Sequence, residues 1–107
     1  MVRRWSVRKW VIFVFCIVNL IQVVSAEQSE IKSQLLASTC AACHGTNGHS
    51  VGGLPSLAGL APEYIIEQME QFSSGQRVST VMSHHSRGYT KQEVKLLAEY
   101  FSKQNIN

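Results

Sequence analysis

Two cysteines and a histidine, in the run Cys40-Ala41-Ala42-Cys43-His44, are the residues whose types and spacing most directly specify chemistry. Thiols three positions apart at the end of a helix can reach the two vinyl groups along one porphyrin edge and form thioethers. The next residue then lies beneath the iron with an imidazole to offer. This is the c-type haem attachment pattern. Three other readings compete for it. A redox dithiol is expected near a βαβ pattern, which this chain lacks, and does not require the histidine. A structural zinc needs about four ligands, commonly with a second Cys or His pair at its own short spacing, and the adjacent His84 and His85 are a poor match. A plain disulfide closed over so short a loop would stabilise little. The residues favour one covalent haem c on Cys40 and Cys43, with His44 as one axial ligand of its iron.

The second axial position has five candidates: Met69, Met82, His49, His84 and His85. Met69 shares a helical face with Ile65 and Phe72, where a methionine ordinarily packs in the core. His49 follows His44 too closely to reach the opposite haem face, which leaves it as a loop histidine. Met82 lies far enough downstream, in Ser79-Thr80-Val81-Met82-Ser83, for the chain to have wrapped the porphyrin edge. It is the favoured ligand, because imidazole with thioether gives a low-spin, electron-transferring iron of raised potential. His84 or His85 would instead give bis-histidine iron at lower potential, or a polar rim beside the haem. Pro55 follows His44 by eleven positions, and its carbonyl or a neighbour's could accept the other ring N–H of His44. A proline that merely stiffens a turn is the competing reading.

These side chains need elements to hold them. Ile31, Leu35 and Leu36 recur at helical spacing and lead into the cysteines, predicting a helix from about Ser29 that ends near Cys43. Gly45 to Gly59 is rich in glycine, serine and asparagine and reads as loop. Ala61-Pro62-Glu63 places a proline at the first helical position and a carboxylate in the first turn. Ile65, Met69 and Phe72 share a face of the helix that follows, and Gly75 supplies a stop. Gln76 to Gly88 shows no period and is expected to be extended loop. Thr90 and Glu93 match a capping box, and Val94, Leu97, Ala98 and Phe101 give an i, i+3, i+4, i+7 stripe for the last helix. The expectation is all-α, about three helices around one covalently attached haem.

The first 26 residues are of a different kind. Arg3, Arg4, Arg8 and Lys9 precede an apolar run of 14 residues, Val11 to Val24, and then Ser25 and Ala26. A basic start, a short apolar stretch and a small-residue end make a secretory signal peptide. The run is short of the roughly 20 apolar residues of a membrane span. Residues 1–26 are therefore expected to be a signal peptide cleaved near Ala26, and residues 27–107 the exported domain. An uncleaved segment would instead tether the domain to a membrane. Residues 27–107 carry six lysines and arginines against seven carboxylates, a formal charge of −1, whereas the whole chain carries +3. The basic balance belongs to the export segment, which removes the argument for a nucleic-acid surface. A domain this small has little interior, and a buried cofactor would add to its core.

With these residues in place the chain resembles the class I cytochromes c, through Cys40-Ala41-Ala42-Cys43-His44-Gly45-Thr46-Asn47-Gly48 and a methionine in a later loop. Within them it is similar to the cytochrome subunits of flavocytochrome c sulfide dehydrogenases, in Gly45 to Gly52, Ser74-Gly75, Ser79 to Met82 and Gly88-Tyr89-Thr90. The resemblance implies the small class I cytochrome c fold and carries the axial role onto Met82. It also implies an FAD-containing, sulfide-oxidising flavoprotein partner in the periplasm that passes electrons to this haem. Some members of that group carry a second attachment motif, and this sequence holds one. His84 and His85 inherit no role. Three functions follow as expectations: the haem subunit of such a flavoprotein, a free electron carrier between respiratory complexes, or a gas-binding haem sensor. No nucleophile, base and pocket constellation argues for an enzyme acting alone.

Overall fold

The computed structural model describes residues 2–106. It divides into two compact units, Met1–Ile31 and Lys32–Asn107. Helix α1 is assigned over Val2–His44, a 3-10 turn over Thr46–Gly48, α2 over Pro62–Ser74, α3 over Met82–Ser86 and α4 over Lys91–Ser102. Among the described residues there is no strand.

Helix α1 begins well before the predicted start near Ser29. Neither glycine nor proline interrupts the chain before Gly45. Its polar residues do not compete with the helix, because Asn19, Ser25 and Ser29 bond back to the carbonyls of Phe15, Ile21 and Ala26 at 2.7, 3.1 and 2.8 Å. Among residues 3–31 the apolar side chains are exposed, Trp10 at 73% and Phe15 at 71%. The helix is long and apolar enough to cross a membrane, a test that an N-terminal signal sequence also passes.

The second unit is built on a small buried cluster of Ala37, Ile65, Leu97, Ala98 and Phe101, with Leu36, Cys40, Leu57, Leu60, Met69 and Tyr100 packed around it. Burying a side chain such as Ile65, Leu97 or Phe101 stabilises by roughly 1.5–3 kcal/mol. The α4 stripe is as predicted: Val94, Leu97, Ala98 and Phe101 are its buried residues. Its capping box is formed, with the Glu93 amide donating to Thr90 Oγ1 at 3.2 Å and the Thr90 amide donating to Glu93 Oε2 at 3.0 Å. Helix α2 starts with Pro62 in its first turn and ends at Gly75, which is left-handed at φ 81°. It packs against both α3 and α4.

One expectation is corrected. The segment from Gln76 to Gly88 is not all extended loop, because Met82–Ser86 forms the short helix α3. Five residues are too few to show a period, and serines organise the turn. Ser79 Oγ accepts the Met82 amide, and Ser83 Oγ accepts the Ser79 amide, each at 3.2 Å. These are local side-chain bonds of the kind that start helices.

Candidate functional site: a haem attachment segment

The last turns of α1 carry Cys40, Cys43 and His44 together, as three-residue spacing on a helix requires. Cys40 is half-buried and Cys43 exposed, and both are free thiols. Burial pushes the Cys40 thiol up, partly opposed by a hydrogen bond from Thr39, and the neighbouring Cys43 adds to the rise. A dithiol oxidoreductase needs the opposite, a lowered thiol pKa. Among the described residues no group of three or more His, Cys, Asp or Glu side chains could hold a metal ion.

His44 is buried, at 8% exposure, and its Nδ1 lies 2.7 Å from the Pro55 carbonyl oxygen. A carbonyl can only accept, so Nδ1 carries the proton. The neutral ring then has its free lone pair on Nε2, the atom that can ligate a metal.

The loop between them is shaped by its backbone. Gly45 ends α1 at φ 83°, and a Cβ there would collide with the His49 carbonyl. Asn47 is left-handed at φ 54°, and Gly48 follows at φ 80°. The chain therefore turns back on itself. The Gly48 carbonyl accepts the amides of Leu57 and Ala58 at 2.8 and 3.2 Å, which returns the Pro55 peptide towards His44. A Cβ on Gly48 would lie 2.8 Å from both the Ala58 nitrogen and Phe101 Cδ1, so glycine is required by crowding as well as by conformation.

Two side-chain bonds that sequence reasoning missed bracket the motif. Tyr89 and Thr39 hydroxyls meet at 2.7 Å, just before Cys40. Tyr100 donates to Asn47 Oδ1 at 2.8 Å, just after His44. Partners fifty residues apart leave no local signal. The one available hint was Asn47-Gly48, a pair that favours left-handed turns.

The sixth-ligand candidates separate by environment. Met82 is half-buried, with its amide held by Ser79. Met69 packs against the buried cluster, as a core methionine does. His84 and His85 are exposed, and His49 is half-buried in the turn after Gly48, its amide bonded to the Thr46 carbonyl at 3.1 Å.

The donor set suits haem c: two thiols on one helical edge, followed by an imidazole held in the ligating tautomer. Comparison with known proteins agrees. The family model "Cytochrome c" matches residues 30–105. The cytochrome subunit of sulfide dehydrogenase from Chlorobaculum tepidum is 47% identical over 73 residues, covering 68% of this chain and 66% of that protein. The thiosulfate dehydrogenase electron acceptor from Thiomonas intermedia is 39% identical over 69 residues, 63% of this chain and 32% of its own length. The chain thus spans from about a third to about two thirds of these relatives. The solved structure of cytochrome c4 from Acidithiobacillus ferrooxidans superposes with a TM-score of 0.57 at 40% identity, over 59% of this chain and 37% of that one. The family model spans most of the chain, and the chain belongs to the cytochrome c family, whose members bind haem c covalently and serve electron transfer.

Proposed function

We propose that this chain is a single-haem periplasmic cytochrome that accepts electrons from a sulfide-oxidising, FAD-containing flavoprotein, after removal of residues 1–26 as a signal peptide. Cys40 and Cys43 would hold a haem c by thioethers, and His44 and Met82 would ligate its iron. The observation that carries the site reading is the His44 Nδ1 to Pro55 carbonyl bond, which leaves Nε2 as the ligating atom.

The bound haem supplies one-electron chemistry, and the chain's residues set the conditions for it. Pro55 orients the His44 ring and raises its basicity. The buried cluster around Phe101 and Leu97 keeps water from one side of the site. Ser79 and Ser83 fix the backbone from which Met82 projects. Ligation by a methionine thioether and an imidazole would favour the reduced state relative to ligation by two histidines.

The sulfide donor is supported by the 47% identity with the sulfide dehydrogenase subunit. The signal peptide is supported by the exposed apolar helix at the N-terminus and by the small residues Ser25 and Ala26. A formal charge of −1 on residues 27–107 provides little long-range steering, which fits a partner held by short-range contacts. A second donor has an observation of its own, because a thiosulfate dehydrogenase electron acceptor is also a relative. It fits the alternative of a free carrier. Native purification followed by haem and flavin absorption spectra distinguishes the two. Copurified flavin and haem reduction on adding sulfide support the subunit. A flavin-free cytochrome reduced only through thiosulfate oxidation contradicts it.

A further inference from the structure

We infer that Tyr100 is a positioning residue for His44: its hydroxyl holds the left-handed turn that delivers the Pro55 carbonyl to the proximal imidazole. This rests on the reading of Cys40, Cys43 and His44 as the haem site. Each link is a bond in the structure. The Asn47 amide oxygen can only accept, so the Tyr100 hydroxyl donates to it, at 2.8 Å. Asn47 is the one non-glycine residue with positive φ among the described residues. Asparagine tolerates that conformation but does not enforce it. Gly48 follows, and its carbonyl takes the amides of Leu57 and Ala58. Pro55, just before that anchored pair, meets His44 Nδ1 at 2.7 Å. Tyr100 is itself fixed, edge-on to the buried Phe101 ring at 5.2 Å and packed against the cluster. It therefore ties the ligand loop to the rigid face of α4.

Tyr89 supplies the comparison. Its hydroxyl bonds to Thr39, on the helix side of the motif. That bond involves no residue of the Asn47 to Pro55 path. Removing either hydroxyl deletes one side-chain bond, but only Tyr100→Phe loosens the carbonyl that His44 donates to.

The experiment uses the haem-loaded exported protein and reads hydrogen exchange of the His44 ring N–H and of the Leu57 and Ala58 amides by NMR in the reduced state. Losing a bond of ordinary strength should make opening of this loop roughly five-fold more frequent. Tyr100→Phe is therefore expected to speed exchange at all three sites about five-fold, and to raise the reduction potential, since a weaker bond at Nδ1 makes the imidazole less basic. Tyr89→Phe is expected to lower global stability while leaving the three rates unchanged. Asn47→Gly keeps the left-handed backbone and removes the acceptor, so it should match Tyr100→Phe, and the double variant should add nothing to either. That variant also serves if Tyr100→Phe fails to accumulate. Unaltered exchange in a haem-loaded Tyr100→Phe protein overturns the role, as does an equal effect from Tyr89→Phe. A parent chain without covalent haem overturns the site reading and this inference with it.

Discussion

Replacing Gly48 by alanine tests whether the loop after His44 is held by crowding as well as by conformation. Gly48 is left-handed at φ 80°, and an added Cβ would stand 2.8 Å from the Ala58 nitrogen, 2.8 Å from Phe101 Cδ1 and 3.1 Å from Leu57 Cβ. Left-handed backbone costs an alanine roughly 1–2 kcal/mol. Forcing a methyl group into packed surroundings costs a further 1–3 kcal/mol or so. The Ala58 nitrogen cannot yield freely, because its proton is bonded to the Gly48 carbonyl itself. The total of roughly 2–5 kcal/mol is a large share of the stability of a small domain. Two other glycines separate the contributions. Gly75 is also left-handed, at φ 81°, but a Cβ there meets nothing within 4 Å, so Gly75→Ala should lose only the conformational part, roughly 1–2 kcal/mol. Gly52 has neither constraint, and Gly52→Ala should be neutral or slightly stabilising. Urea unfolding of the haem-loaded proteins gives all three values. Gly48→Ala within about 0.5 kcal/mol of Gly75→Ala would refute the crowding argument.

Further expectations concern the ligands, the core and the last helix. Met82→Ala should let the reduced protein bind carbon monoxide, which the parent should resist, and Met82→His should lower the reduction potential; a parent that binds carbon monoxide equally well removes Met82 as a ligand. Substituting Pro55 by glycine should shift the potential by loosening the carbonyl at His44, and an unchanged potential would leave the proline a purely structural role. Phe101→Ala, at a side chain 1% exposed, should cost roughly 3–5 kcal/mol in urea unfolding. Glu93 is held below its ordinary value of 4.5, first by the Thr90 amide, then by the Thr90 hydroxyl and by Lys32. A lowered folded pKa means stability that is present above the unfolded value and lost as pH falls through the folded one. The parent should therefore lose more stability than Glu93→Gln as pH drops below about 4.5, and parallel curves would show that the carboxylate contributes nothing.

What could be read from the chain depended on how local the cause was. The α4 helix was legible because its capping box and its buried stripe both lie within twelve residues. The attachment motif was legible for the same reason. Helix α3 was not, since its turn is set by the Ser79 and Ser83 hydroxyls and not by any hydrophobic period. The tyrosine bonds to Thr39 and Asn47 were not either, because nothing near Tyr89 or Tyr100 in sequence records a partner about fifty positions away. The start of α1 was placed too late because amphipathic spacing marks only a helix with a buried side, and residues 3–31 have none.

The most direct test of the whole account is the intact mass of the exported protein after acid–acetone extraction. The expected mass is that of residues 27–107 plus one haem, with the haem lost when Cys40 and Cys43 are both replaced by serine. An extracted chain that releases its haem and retains two free thiols in the Cys40 to His44 segment would contradict it.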